Sequence, residues 1–250
     1  MRSPEQLVHS RARVRPRYAL LPLEGYPVSR LPCCPEAEVR VLASPALGAQ
    51  FVQLLVDLPG GSTLRFDPRP EIESFYFVLN GQGQLREATA AHQLEPGRFG
   101  LTPPKADVQF TAGNPLRLLI LQKRYESARG IEMFKSIHGH ESRVEKKVWG
   151  DNPHSLLQTL VPDEIGFDMA MNIFTFDPGC GLPIVETHVM EHGLLFLQGK
   201  GLYFLDGQWM EVEANDFIWM GPYCPQSFYA TGPTPSRYIY YKNVNREILL

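Results

Sequence analysis

Short apolar runs, broken at close intervals by glycine and proline, dominate the chain. In the first half they fall at residues 51–56, 75–79 and 118–121. In the second they fall at 169–176, 194–197, 201–205, 216–220 and 237–241. These runs are rich in aromatic, leucine and β-branched side chains and carry no sustained helical period, so each predicts a strand. The 21 glycines and 22 prolines supply tight turns between them. Many short strands at even spacing predict an all-β sandwich or barrel.

The pattern occurs twice. The stretch from Phe77 to Gly83 aligns with that from Leu195 to Gly201, and the stretch from Leu94 to Phe99 with that from Val212 to Phe217, both at an offset of 118 positions. Leu58-Pro59-Gly60-Gly61 resembles Asp177-Pro178-Gly179-Cys180 at an offset of 119. Two copies of one β unit account for this self-similarity. The predicted division is an arm with first strands (1–45), an N-terminal barrel (46–126), a polar inter-barrel segment (127–163) and a C-terminal barrel (164–250).

The second copy carries the chemistry. Glu186-Thr187-His188-Val189-Met190-Glu191-His192, with Gly199 beyond it, reads E-x-H-x3-H-x6-G. It resembles the first motif of the cupins, the small jelly-roll barrels, with Glu186, His188 and His192 in the three ligand slots. Gln226 falls in the slot of the last ligand of the second motif. The expected fold is therefore a bicupin, two tandem cupin-type jelly-roll barrels. The 118 offset puts Pro68, Pro70, Ser74 and Val108 at the corresponding positions of the first copy. None is a usable ligand apart from a weak serine hydroxyl, so the first barrel is expected to lack metal ligands.

On a strand, residues two and four positions on share a face. Glu186, His188 and His192 are thus expected to reach one ion from one strand, with Gln226 arriving from a strand across the barrel. One carboxylate, one amide and two imidazoles make a fairly hard set. It suits Mn2+ or Fe2+, or another divalent ion, in an octahedron with two open positions, and does not separate these ions. Structural zinc prefers closed tetrahedra of Cys and His. His138 and His140, beside Glu141, look ligand-like but lie in the polar inter-barrel segment and read as a solvated loop. His9, His92 and His154 show no partner pattern.

Composition adds exclusions. With 44% apolar residues and a net charge of -3, nothing points to nucleic acid or an anionic membrane as partner. No apolar run is long enough for a transmembrane helix. The arm from Met1 to Arg17 carries five arginines and no apolar stretch after them, so it does not read as a secretory signal. Four cysteines, Cys33, Cys34, Cys180 and Cys224, form no CxxC pair and read as free thiols of a reducing cytoplasm. Trp209 and Trp219 read as core or interface.

Most of the chain, and its C-terminal half closely, resembles the (S)-ureidoglycine aminohydrolases. The resemblance runs from Glu164-Ile165-Gly166-Phe167-Asp168-Met169 through Glu186, His188, Glu191 and His192. It continues through Gly199, Gly201 and Tyr203, Gly221, Tyr223 and Gln226, to Tyr238, Tyr240, Lys242, Asn245 and Arg246. What it implies is a Mn2+-dependent hydrolase of purine degradation that converts (S)-ureidoglycine and water into (S)-ureidoglycolate and ammonia. It implies metal ligands at Glu186, His188, His192 and Gln226, and substrate contacts at Tyr203, Tyr238 and Lys242, with Glu186 and Gln226 also facing the substrate. Glu186 and Lys242 would be the catalytic residues, and the protein a homo-oligomer acting on a small molecule. The metal set by itself also admits a dioxygenase or isomerase of a small carboxylate, or a non-catalytic small-molecule-binding bicupin.

Overall fold

A computed structural model describes residues 11–246. Residues 1–10, which include Arg2 and His9, and residues 247–250 lie outside the described residues. The described chain is built of strands, turns and three short 3-10 segments, with no α-helix among them. The strands of the first half are β1 (Arg13–Arg15), β2 (Tyr18–Leu21), β3 (Ser29–Leu31), β4 (Cys34–Ala43), β5 (Phe51–Leu58), β6 (Thr63–Arg65), β7 (Ile72–Asn80), β8 (Gly83–Glu87), β9 (Ala90–Leu94), β10 (Arg98–Thr102), β11 (Val108–Ala112) and β12 (Leu116–Arg124). Those that follow are β13 (Ile137–His140), β14 (Lys147–Trp149), β15 (Asn152–Thr159), β16 (Met169–Phe176), β17 (His192–Gln198), β18 (Lys200–Leu205), β19 (Gln208–Glu213), β20 (Phe217–Met220), β21 (Gln226–Ala230) and β22 (Ser236–Asn243). All eight runs read as β in the sequence are strands.

The chain divides into two compact units. One holds Pro27–Arg143 and Glu164–Asp168; the other holds the chain up to Tyr26, Val144–Asp163 and everything from Met169. Each unit pairs a large sheet with a small one. In the first, the orders are β13-β10-β7-β12-β5-β4-β3 and β6-β11-β8-β9; in the second, β1-β2-β20-β17-β22-β16-β15-β14 and β19-β18-β21. The repeat is visible in these orders: β10-β7-β12-β5-β4 of one sheet matches β20-β17-β22-β16-β15 of the other. Each copy also takes a strand from elsewhere in the chain. β2 pairs with β20 in the second unit, and β13 pairs with β10 in the first.

Residues 144–163, read as an inter-barrel segment, thus contribute β14 and β15 to a sheet. His138 and His140 stand on β13, not in the solvated loop expected of them; edge pairing on β10 satisfies a backbone that local composition left unassigned.

Two glycines show why the repeat keeps its turn residues. Gly81 and Gly199 both have positive φ, 87° and 78°. A Cβ on Gly81 would stand 2.0 Å from the Pro115 carbonyl oxygen, and one on Gly199 2.7 Å from that of Pro235. Only glycine combines that backbone with that approach.

The second unit's core is strongly aromatic. Phe174, Phe176, Phe196, Tyr203, Phe228 and Tyr238 are buried together between its two sheets, and ring pairs such as Phe196 with Tyr238 meet edge to face at 5.3 Å. Each such side chain contributes about 1.5–3 kcal/mol by leaving water. This rigid floor carries the polar groups described next. Trp219 is buried, whereas Trp209 is half exposed and packs on Phe204 at the surface, so it is not core.

Candidate active site

The Glu186–His192 segment is not one regular strand, contrary to the sequence expectation. Glu186 makes an isolated bridge with Gln226, the chain through His188 is irregular, and β17 begins at His192. The bridge is a reciprocal pair of backbone bonds, Glu186 N–H to the Gln226 carbonyl at 2.8 Å and Gln226 N–H to the Glu186 carbonyl at 2.9 Å. Gln226 therefore enters from the chain beside Glu186, at the start of β21, not from across the barrel. The Tyr223 N–H, bonded to the His188 carbonyl at 2.7 Å, continues the same ladder.

From the other side, β17 and β22 bring His192 opposite Lys242, Leu194 opposite Tyr240 and Phe196 opposite Tyr238. Alternation on β22 puts Tyr238, Tyr240 and Lys242 on one face. The result is a cavity of about 80 Å³ lined by Glu186, His188, His192, Gln226, Tyr203, Tyr238 and Lys242. Every residue singled out from the sequence for this site borders that space.

The two imidazoles are held by backbone. His192 Nδ1 bonds the Tyr241 carbonyl at 2.9 Å and His188 Nδ1 the Met190 carbonyl at 3.2 Å. Each Nδ1 must carry its proton to donate, so each neutral ring presents a lone pair at Nε2. The two Nε2 atoms face each other at 3.2 Å. Two lone pairs at that distance repel unless a cation or a proton sits between them. Gln226 Nε2 donates to His188 Nε2 at 3.2 Å, while Gln226 Oε1 accepts from the Tyr203 hydroxyl at 3.3 Å. A half-turn of the amide would present Oε1 to the same space. The donor set and its backbone support fit a divalent cation.

Burial sets the protonation states. His192, fully enclosed, is pushed down to about 3 by desolvation and then by nearby His188. Desolvation, followed by the charge of Lys242, also lowers His188. Both rings are thus neutral and available as ligands near neutral pH. Burial raises Glu186, and the Lys242 ammonium opposes that rise. Desolvation drives the Tyr203 and Tyr238 phenols up as well, keeping them protonated and able to donate.

Tyr240 and Trp149 are among the cavity residues that escaped the sequence reading. Tyr240, taken for packing, borders the cavity and receives a hydrogen bond from Asn172 Nδ2 at 3.2 Å. Its place one alternation step from both Tyr238 and Lys242 was the available signal. Trp149 reaches the cavity from β14, set edge-on to Phe174. It sits in a charged stretch with no strand pattern, so nothing local announced it. Cys224 is buried in the aromatic core, where desolvation raises its thiol to about 11, and it behaves as a small hydrophobe.

No protein-family model matches the chain. A relative from Escherichia coli strain K12 named (S)-ureidoglycine aminohydrolase is 32% identical over 98% of this chain and 95% of its own length. This chain belongs to the (S)-ureidoglycine aminohydrolase family. Within solved structures, protein Ylba from E. coli superposes with a TM-score of 0.86 at 31% identity, covering 100% of both chains. A cupin 2 conserved barrel domain protein from Leptotrichia buccalis shares the fold with a TM-score of 0.61 at 15% identity, over 84% of this chain and 89% of its own. The fold of this member of the aminohydrolase family is a bicupin.

Proposed function

We propose that this chain is an (S)-ureidoglycine aminohydrolase that uses a divalent cation held by Glu186, His188, His192 and Gln226. The observation that carries the reading is the pair of backbone-anchored imidazoles with facing Nε2 atoms at 3.2 Å, beside a carboxylate and an amide in one cavity. Family membership supports the substrate and the reaction; the facing imidazoles with a carboxylate and an amide beside them support a divalent metal. Manganese and a homo-oligomer are finer parts of the proposal that follow from the resemblance, and a cytoplasmic location is a further part that rests on the four free cysteines. No helix of the described residues is long and apolar enough to cross a membrane.

The reaction exchanges one bond for another. The carbon bearing the substrate's amine and carboxylate loses nitrogen and gains a water oxygen. One water proton leaves with the nitrogen as ammonia. The cation, when bound, supplies Lewis-acid polarisation and lowers the pKa of water.

The chain's own residues bind and move protons. Lys242 holds the substrate carboxylate through a fixed positive charge at the cavity wall. Glu186, raised by burial yet still next to Lys242, takes the proton from water and is the nearest carboxylate able to return it to the leaving amine. Tyr203 and Tyr238 hydrogen-bond each other, and the Tyr203 hydroxyl meets the Gln226 amide, which it can serve as donor to Oε1 or, after the half-turn, as acceptor from Nε2, so this relay builds one wall of the substrate pocket.

Metal removal tests the reading. Chelation is expected to abolish ammonia release from ureidoglycine, and Mn2+ to restore it in wild type but not in Glu186→Ala. Release that survives removal of the metal would overturn the proposal.

A further inference from the structure

We propose that Glu87, His92 and His138 form a second divalent-metal site, in the other unit, which fastens the β8–β9 hairpin to strand β13 and takes a borderline ion such as Zn2+. None of the three stands at a position related by the repeat to Glu186, His188, His192 or Gln226.

The fold assembles this cluster from two sheet edges. β9 is the edge of the small sheet of the first unit, and β13 is the edge of its large sheet. Within the hairpin, His92 lies opposite Leu85 and Glu87 opposite Ala90. Glu87 and His92 are therefore diagonal neighbours on one face. His138 arrives from β13 to meet both. Its Nε2 lies 2.8 Å from Glu87 Oε2, and its ring stacks on that of His92 with centroids 4.0 Å apart. One ligand atom from each residue lies within 4.8 Å of the others. A four-coordinate zinc with bonds of about 2.0–2.1 Å holds its ligand atoms roughly 3.3 Å apart. Small side-chain rotations close that gap.

Outer contacts already orient the donors, as they do around metal-binding histidines and carboxylates. The Tyr76 hydroxyl holds His138 Nδ1 at 3.0 Å, which leaves Nε2 directed at the cluster. Ser136 donates its hydroxyl proton to Glu87 Oε1, so the second carboxylate oxygen is the one that faces His138. Gly100 makes this approach feasible. It sits between Tyr76 and His138 in register, and a Cβ there would stand 2.6 Å from His138 Nδ1 and 2.7 Å from the Tyr76 ring. Desolvation and the neighbouring His138 lower His92, which keeps its ring neutral and able to ligate.

Two imidazoles and one carboxylate leave a fourth position for water, and both Zn2+ and Ni2+ accept such a set. Without an ion, a single proton between His138 and Glu87 links β13 to the hairpin and leaves His92 outside the bond. An ion in place of that proton draws all three together.

The test is Zn2+ binding to metal-stripped full-length protein, by calorimetry and by metal analysis after desalting. Wild type is expected to bind two equivalents, His92→Asn one, His188→Ala one, and the double variant none. Zn2+ should also raise the melting temperature of His188→Ala and leave that of the double variant unchanged. Glu87→Gln, nearly isosteric, serves as a second variant and should lose the same equivalent as His92→Asn. One equivalent retained by His188→Ala but lost in His92→Asn would support this site while removing the other. Wild-type binding that neither His92→Asn nor Glu87→Gln reduces would overturn the proposal.

Discussion

His188 and His192 point their Nε2 atoms at each other across 3.2 Å, each ring tied through Nδ1 to a backbone carbonyl. Such a pair is pre-built for a cation and poorly suited to anything else. Replacing either ring with alanine is expected to lower metal affinity by more than ~100-fold, beyond the usual cost of disturbing an outer-sphere partner. Metal content after desalting measures this, and full occupancy in His188→Ala would contradict it.

Lys242 stands opposite His192 on the adjacent strand and contributes charge without being a ligand. Lys242→Ala should keep its metal and lose kcat/KM by about 10²–10³-fold, the scale seen when one preorganised electrostatic contact is removed. A metal-loaded Lys242→Ala enzyme with wild-type kinetics would end the assignment.

Tyr203 donates to Gln226 Oε1 inside the aromatic core. Tyr203→Phe leaves a buried amide oxygen without its donor, which should cost about 1–2 kcal/mol in urea unfolding. It also removes the hydroxyl that would accept from Gln226 Nε2 once a half-turn brings Oε1 to the cation, so metal affinity should fall by roughly 10-fold. Unchanged stability and affinity together would show that the relay positions nothing.

These residues also show what could be read from the sequence. The strand runs around Met169–Phe176 and the tyrosine-lysine alternation of β22 are local patterns, and they sit where periodicity put them. The ligand slots followed from spacing to Gly199, whose positive φ and close approach to Pro235 fix that turn in space. The route of the ligand segment was not legible. An extended reading of 186–192 assumed a regular strand, whereas backbone pairing of Glu186 with Gln226 leaves the chain through His188 irregular. Nor was the placement of β2 against β20, because pairing between residues about 200 positions apart leaves no mark on either segment's own pattern. His138 was misjudged for the same reason: its partners Glu87 and His92 lie on a distant hairpin.

Buried His192 makes the metal-free protein sensitive to acid. Its folded pKa of about 3 lies below the ordinary 6.5. Between those values the unfolded chain binds a proton that the folded chain does not, so this residue's contribution falls as pH falls. From pH 7 to pH 5 the loss from this residue is about 2 kcal/mol. Comparing urea midpoints of metal-free wild type and His192→Asn at both pH values measures it together with its coupling to the adjacent His188. An equal pH response in the two proteins would contradict the assignment.

Lys123 lies buried between Glu73, at 3.2 Å, and Asp168, which also accepts the Glu126 N–H. Burial raises Glu73 well above the usual carboxylate range, and the charge of Lys123 opposes that rise. Lys123→Met should therefore destabilise by about 3–5 kcal/mol, the cost of leaving a buried charge unpaired. Denaturant unfolding of the variant measures it, and a change within 1 kcal/mol of zero, small beside that ~3–5 kcal/mol, would show the triad to be dispensable.

The most direct test of the enzymatic account is to follow isotopically labelled ureidoglycine, generated in situ, by carbon NMR with metal-stripped protein before and after Mn2+ is added. The account predicts that Mn2+ brings rapid conversion to a single enantiomer, (S)-ureidoglycolate, with one equivalent of ammonia. Decay at the unaided rate, or a racemic product, with Mn2+ bound at Glu186, His188, His192 and Gln226 would contradict it.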